Sequence, residues 1–167
     1  IYFGQEVGEP GALDAGFGKQ SRTSIFDYVG VPHHQRWMNN GKFDGGQLSN
    51  DEKDLRDFYK RLLNFTLKSK ALMGDFEQIH DANLEAGLGY DFGLYAYVRW
   101  NENDKLIIVT NFNQNTTVDC PVILPAGVVK KMNLKDGTLT LKDQLYEKVS
   151  TPLTIKNGVG KFKVKLK

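Results

Sequence analysis

Residues 93–124 read GLYAYVRWNENDKLIIVTNFNQNTTVDCPVIL, and their spacing decides the fold of the second half of the chain. Three short strands are predicted, at about Gly93 to Trp100, Lys105 to Asn113 and Thr117 to Leu124, each with the two-residue period of a strand that buries one face. The polar connections Asn101 to Asp104 and Asn113 to Thr116 are short enough to make neighbouring strands antiparallel. Cys120 alternates with Val118, Val122 and Leu124 and is therefore expected to point into a core, as free cysteines commonly do. It is the only cysteine of the chain, so no internal disulfide can form.

Further strands follow at Thr138 to Leu141, Pro152 to Ile155 and Lys161 to Leu166. Asp136-Gly137 and Asn157-Gly158 have the residue types that accept positive φ in tight hairpins. The last strand alternates Lys161, Lys163, Lys165 and Lys167 with Phe162, Val164 and Leu166. Such a lysine row near a sheet edge discourages edge-to-edge aggregation, a use that accounts for it better than anion binding does. Six strands in this span predict an antiparallel β-sandwich or Greek-key domain over residues 76–167.

Upstream the periodicity changes. Ser49-Asn50-Asp51-Glu52 has the form of a capping box, and Asp51, Glu52 and Asp54 suit the positive end of a helix dipole. Leu55, Phe58, Tyr59, Leu62 and Leu63 recur at three-to-four spacing, with Lys60 and Arg61 turned outward and Lys68 and Lys70 near the negative end. Between Gly4 and Leu48 lies a glycine-rich loop far longer than the usual connection of about four to six residues, which marks it as functional or elaborated. The opening Ile1-Tyr2-Phe3-Gly4 reads as the end of a buried strand, and the start as a cut inside a larger fold.

The segment Ile1-Tyr2-Phe3-Gly4-Gln5-Glu6 resembles the Ile-Tyr-aromatic-Gly-x-Glu stretch that closes the barrel of alpha-amylase-family glycoside hydrolases. Ser21-Arg22-Thr23-Ser24-Ile25-Phe26-Asp27-Tyr28, Gln35-Arg36-Trp37, Gly41-Lys42-Phe43-Asp44-Gly45-Gly46 and the helix with Leu55-Arg56 and Phe58-Tyr59 look like the loop and eighth helix that follow it. The resemblance implies an α+β fragment. Residues 1–75 would be the last strand end, long loop and eighth helix of a TIM-type barrel, and residues 76–167 the family's C-terminal β domain. Barrels of this kind carry catalysis at the C-terminal ends of their strands.

The family's reaction is a retaining displacement at an α-glucosidic bond, and its nucleophile, acid/base and supporting Asp lie on earlier strands. The resemblance thus implies that the catalytic carboxylates are upstream of Ile1 and that this piece is inactive alone. Related enzymes present an Asp and a downstream Arg from this loop to glucose units, which makes Asp14 and Arg22 the substrate-binding candidates. Phe17 and Trp37 are second choices, since aromatic rings stack on sugars. Glu6 with Asp14 or Asp27 makes a poor catalytic pair, because one carboxylate of such a pair needs a pocket that raises its pKa. Glu6 is expected to hydrogen-bond neighbouring loops.

Composition excludes several other classes. The 22 basic and 20 acidic residues are interspersed, without the basic face that phosphate backbones require, so nucleic acid is not an expected partner. No apolar run reaches the roughly 18 residues of a membrane span, and the first residues do not resemble a signal peptide. His33 and His34, adjacent and without completing ligands, form no recognisable metal motif; no metal and no cofactor are expected. Asn64-Phe65-Thr66 and Asn115-Thr116-Thr117 match the glycosylation acceptor pattern, which arises often by chance.

The expected partners are the missing barrel and an α-glucan such as starch or maltodextrin. The resemblance implies an enzyme outside the cytoplasm, and apolar surface left by the absent strands would favour self-association of the piece. A competing reading makes the strand-rich region a non-catalytic carbohydrate-binding module. Its mark would be exposed aromatics on one sheet face, with Tyr90, Phe92, Tyr95, Tyr97 and Trp100 as candidates, of which at least some must fill the core of so small a domain. A third reading is an unrelated sandwich-type interaction domain.

Overall fold

A computed structural model describes residues 1–10, 31–113, 115–146 and 150–166. The chain folds as two compact units, Ile1–Asn64 and Phe65–Lys167, and is α+β with two antiparallel sheets.

In the first unit Gln5–Val7 forms a single 3-10 turn, Pro32–Met38 forms α1, and Asn50–Lys68 forms α2, whose last residues belong to the second unit. The capping box forms as its sequence predicts: the Ser49 N–H donates to Glu52 Oε2 at 2.7 Å, and the Glu52 N–H donates to Ser49 Oγ at 3.3 Å. Leu55, Phe58, Tyr59 and Leu62 are half-buried, Leu63 is exposed, and Lys60 and Arg61 face outward. The strand end expected at Ile1–Gly4 does not form, and among the described residues no part of a barrel is evident. Ile1 and Tyr2 are exposed, and Gly4 and Gly8 turn the chain through left-handed φ values of 79° and 68° around the 3-10 turn. The physical reason is pairing: a strand needs neighbours for its backbone groups, and no described residue of this unit is in a strand.

The second unit begins its sheets with β1 (Asp75–Gln78), followed by α3 (His80–Ala86), β2 (Leu94–Trp100) and β3 (Lys105–Asn111). Then come β4 (Val118–Leu124), α4 (Ala126–Lys131), β5 (Gly137–Lys142), β6 (Ser150–Lys156) and β7 (Val159–Leu166). The sheets have the orders β1-β2-β3 and β4-β7-β6-β5, every pairing antiparallel. Leu94, Ala96 and Val98 from one sheet meet Val118, Cys120, Val122, Leu124, Leu153, Ile155 and Phe162 from the other in one shared core. This is a sandwich-like arrangement, with each sheet hydrophobic on one face. Cys120 lies inside that core, and burial pushes its thiol pKa up.

Two local readings are corrected. β7 is not at an edge, because β4 flanks it on one side and β6 on the other; its lysines occupy the solvent face, where Lys163 pairs with Asp119 at 2.8 Å. Asp136-Gly137 makes no hairpin of its own. It leads from α4 into β5, and the Asp136 carboxylate instead accepts the N–H groups of Asn157 and Gly158, at 2.8 and 2.9 Å. Asn157 (φ 53°) and Gly158 (φ 74°) do form the predicted tight turn, between β6 and β7. Tyr90 and Trp100 fill the core, so neither belongs to an exposed aromatic row.

Candidate functional site

The first unit carries an open groove of about 750 Å³. Tyr2, Phe3, Glu6 and His34 line one part of it, and Arg56, Tyr59, Lys60 and Leu63 of α2 line another. Apolar, aromatic and charged groups alternate along it, a lining suited to ligands with both polar and apolar surface.

His34 is the best-positioned side chain there. α1 begins with Pro32 at its first turn, a position where the missing N–H costs nothing. In the same first turn the His34 N–H donates to Glu9 Oε2 at 3.0 Å. The imidazole stacks on Phe3 with ring centroids 4.4 Å apart and planes within 8°. Glu6 Oε1 lies 3.7 Å from Nε2, and Glu9 Oε2 lies 3.5 Å from Nδ1. Gly4 makes this approach possible, since a Cβ there would lie 2.5 Å from the Glu9 Cβ. Glu9 is buried, and its Oε1 has no hydrogen-bond partner among the described residues.

A second cluster fixes the base of the unit. Glu52, only 5% exposed, receives the Arg36 guanidinium through Nε, at 3.1 and 3.2 Å, and through Nη2. His33 Nδ1 lies 2.8 Å from Glu52 Oε1 and 2.9 Å from the Val7 carbonyl oxygen. Both neighbours are acceptors, so Nδ1 carries the proton. One carboxylate thus joins α1 to the start of α2, and His33 carries the link on to Val7 of the 3-10 turn. The Arg36 hydrogen bonds hold the Glu52 pKa down to about 2 against the opposing effect of burial, with Ser49 adding to the depression. Glu52 is therefore an ionised acceptor at neutral pH and has no proton to give.

Glu6 and Glu9 flank one imidazole rather than an open space. A retaining pair stands about 5 to 5.5 Å apart with the sugar bond between, and an intervening ring makes these two acids a clamp for His34. Trp37 is covered on one face by Arg56, whose guanidinium carbon lies 5.0 Å from the ring centroid, and it meets Phe43 edge-on at 5.9 Å. Asp14, Arg22, Phe17 and Asp27 lie outside the described residues. The capping box foretold Glu52 as a helix start, but nothing in the sequence foretold that Arg36 and His33 would share it. Among the described residues no group of three or more His, Cys, Asp and Glu could hold a metal ion, and no helix is long and apolar enough to cross a membrane.

Comparison of the chain with protein-family models, with curated proteins and with solved structures gave no match.

Proposed function

We propose that the chain is the C-terminal part of an α-amylase-like glycoside hydrolase acting on starch or maltodextrins outside the cytoplasm, and that it completes and braces a barrel whose catalytic carboxylates lie ahead of Ile1. The resemblance of residues 1–6, 21–28, 35–46 and the helix supports this reading, as does a sandwich-like unit following that helix. The observation that carries it is the state of Ile1 and Tyr2. These β-prone residues are 65% and 58% exposed at one side of a groove whose other side is α2, so the segment has a helix beside it, as a barrel strand would, and among the described residues of its unit no strand to pair with. In the whole enzyme Ile1–Gly4 would become extended on gaining neighbours, and Asp14 and Arg22 would face the glucan. Retention follows from the family's paired carboxylates.

The test compares the chain alone with a longer chain that includes the residues encoded ahead of Ile1, by reducing-sugar release from soluble starch and maltoheptaose. Turnover is expected from the longer chain only. Turnover by the chain alone that Glu6→Gln removes, or no turnover by the longer chain, would overturn the reading.

A further inference from the structure

We infer that the outer face of the β1-β2-β3 sheet is a binding platform for a neutral oligosaccharide. Residues directly opposite in a ladder share a face, so Phe76 and Leu106 lie beside Arg99, Gln78 and Ile108 beside Tyr97, and Thr110 beside Tyr95. Four rings run on from one another across this face: Phe76 to Tyr97 at 5.5 Å, Tyr97 to Tyr95 at 5.8 Å, and Tyr95 to His80 at 5.4 Å between centroids. Phe92 extends the file at 6.4 Å from His80. Neighbouring planes in the file are tilted by 40° to 63°. The face is also built from beneath, since the buried Tyr90 hydroxyl lies 3.0 Å from His80 Nδ1 and fixes that ring.

Charge selects the ligand. Among the described residues the cation on the face is Arg99, whose Nη2 donates to the Leu72 and Gly74 carbonyls and whose guanidinium stands 6.0 Å from the Phe76 ring centroid. The carboxylate at the margin, Asp81, accepts from the Gln78 amide at 2.7 Å. What is left open is a row of rings with two phenols and the Thr110 hydroxyl at its sides. Phe76 and Phe92 are 53% and 86% exposed. A pyranose presents C–H groups on its faces and hydroxyls on its rim, and a chain of pyranoses repeats that pattern as the file repeats its rings. With one cation on it and one carboxylate at its margin, the face carries no excess of either charge that would select an ion, and the aliphatic Leu106 and Ile108 are half-buried rather than proud.

The platform's preference for neutral pyranose chains rests on the face itself; a preference for α-linkage rests on the proposed function. The intact chain is titrated calorimetrically with maltoheptaose and with cellohexaose. Saturable binding is expected, weakened about tenfold or more by Phe92→Ala or Tyr95→Ala, kept by Tyr95→Phe, and unchanged by Lys161→Ala on the solvent face of β7 in the other sheet. Near-UV circular dichroism checks that each variant folds. No binding of either sugar, binding indifferent to Phe92→Ala and Tyr95→Ala, or self-association that those changes abolish would overturn the platform. Ring-dependent binding of cellohexaose alone would sustain it and count against the α-glucan reading.

Discussion

The side-chain amide of Asn83 pairs with the backbone of Ile123 as a neighbouring strand would. Its Nδ2–H donates to the Ile123 carbonyl at 2.9 Å, and its Oδ1 accepts the Ile123 N–H at 2.7 Å. Nδ2 also donates to the Ile79 carbonyl at 2.8 Å, so a residue 2% exposed has its hydrogen-bonding capacity used. Replacing Asn83 with Leu would strand a buried N–H and carbonyl on β4. A loss of about 2–3 kcal/mol is expected, read as a lower urea midpoint of the Trp100 fluorescence transition; an unchanged midpoint would show the pairing contributes nothing net.

Glu52 gives the first unit an acid-labile anchor. Its folded pKa, about 2 in place of 4.5, is depressed, so the stabilisation is fully present above pH 4.5 and declines as pH falls from there towards 2. Glu52→Gln should lower the melting temperature at pH 7. The gap between variant and parent should close as the pH falls through that window. A gap constant with pH would place the effect in packing rather than charge.

Asp136 should matter more than a surface aspartate usually does, because its carboxylate holds two backbone donors of the turn between β6 and β7. Asp136→Ala is expected to cost about 1–2 kcal/mol and to speed amide exchange at Asn157 and Gly158. Asp136→Asn keeps one acceptor oxygen and should fall between the two.

Cys120 is buried at 2% exposure with its thiol pKa pushed up by that burial. Since the thiolate is the reactive form, a disulfide reagent at pH 8 should label the folded chain slowly and the urea-unfolded chain at once. Fast labelling of the folded chain would mean that the sandwich opens readily.

Where burial is one-sided, the sequence predicted well. β2, β4 and β7 each bury one alternate set more deeply than the other, so their period could be read directly, as could Cys120 and the α2 start. Strand β1 has only four residues with a single half-buried one, too few to show a period. The helices α1, α3 and α4 have no side-chain cap hydrogen bond, so they lacked the signal that announced α2. Asp136-Gly137 shows another limit: a turn-forming pair declares its own flexibility, not which loop its carboxylate will bind. The candidate sites were legible in residue type only. Tyr95, Tyr97 and Phe92 were singled out as aromatics, but their separation from Tyr90 and Trp100 depends on sheet packing. His34 gave no sign that Phe3 would stack on it.

The sharing of Glu52 among Arg36, His33 and Ser49 has a kinetic consequence. A helix start with a private cap can fray and reclose without disturbing its surroundings. Here the first turn of α2 cannot unwind without also releasing Arg36 and His33 of α1, which the same carboxylate holds, and His33 in turn bonds the Val7 carbonyl. Amide exchange should therefore report one cooperative opening for these segments, with a common protection factor, where three separate caps would give three independent ones.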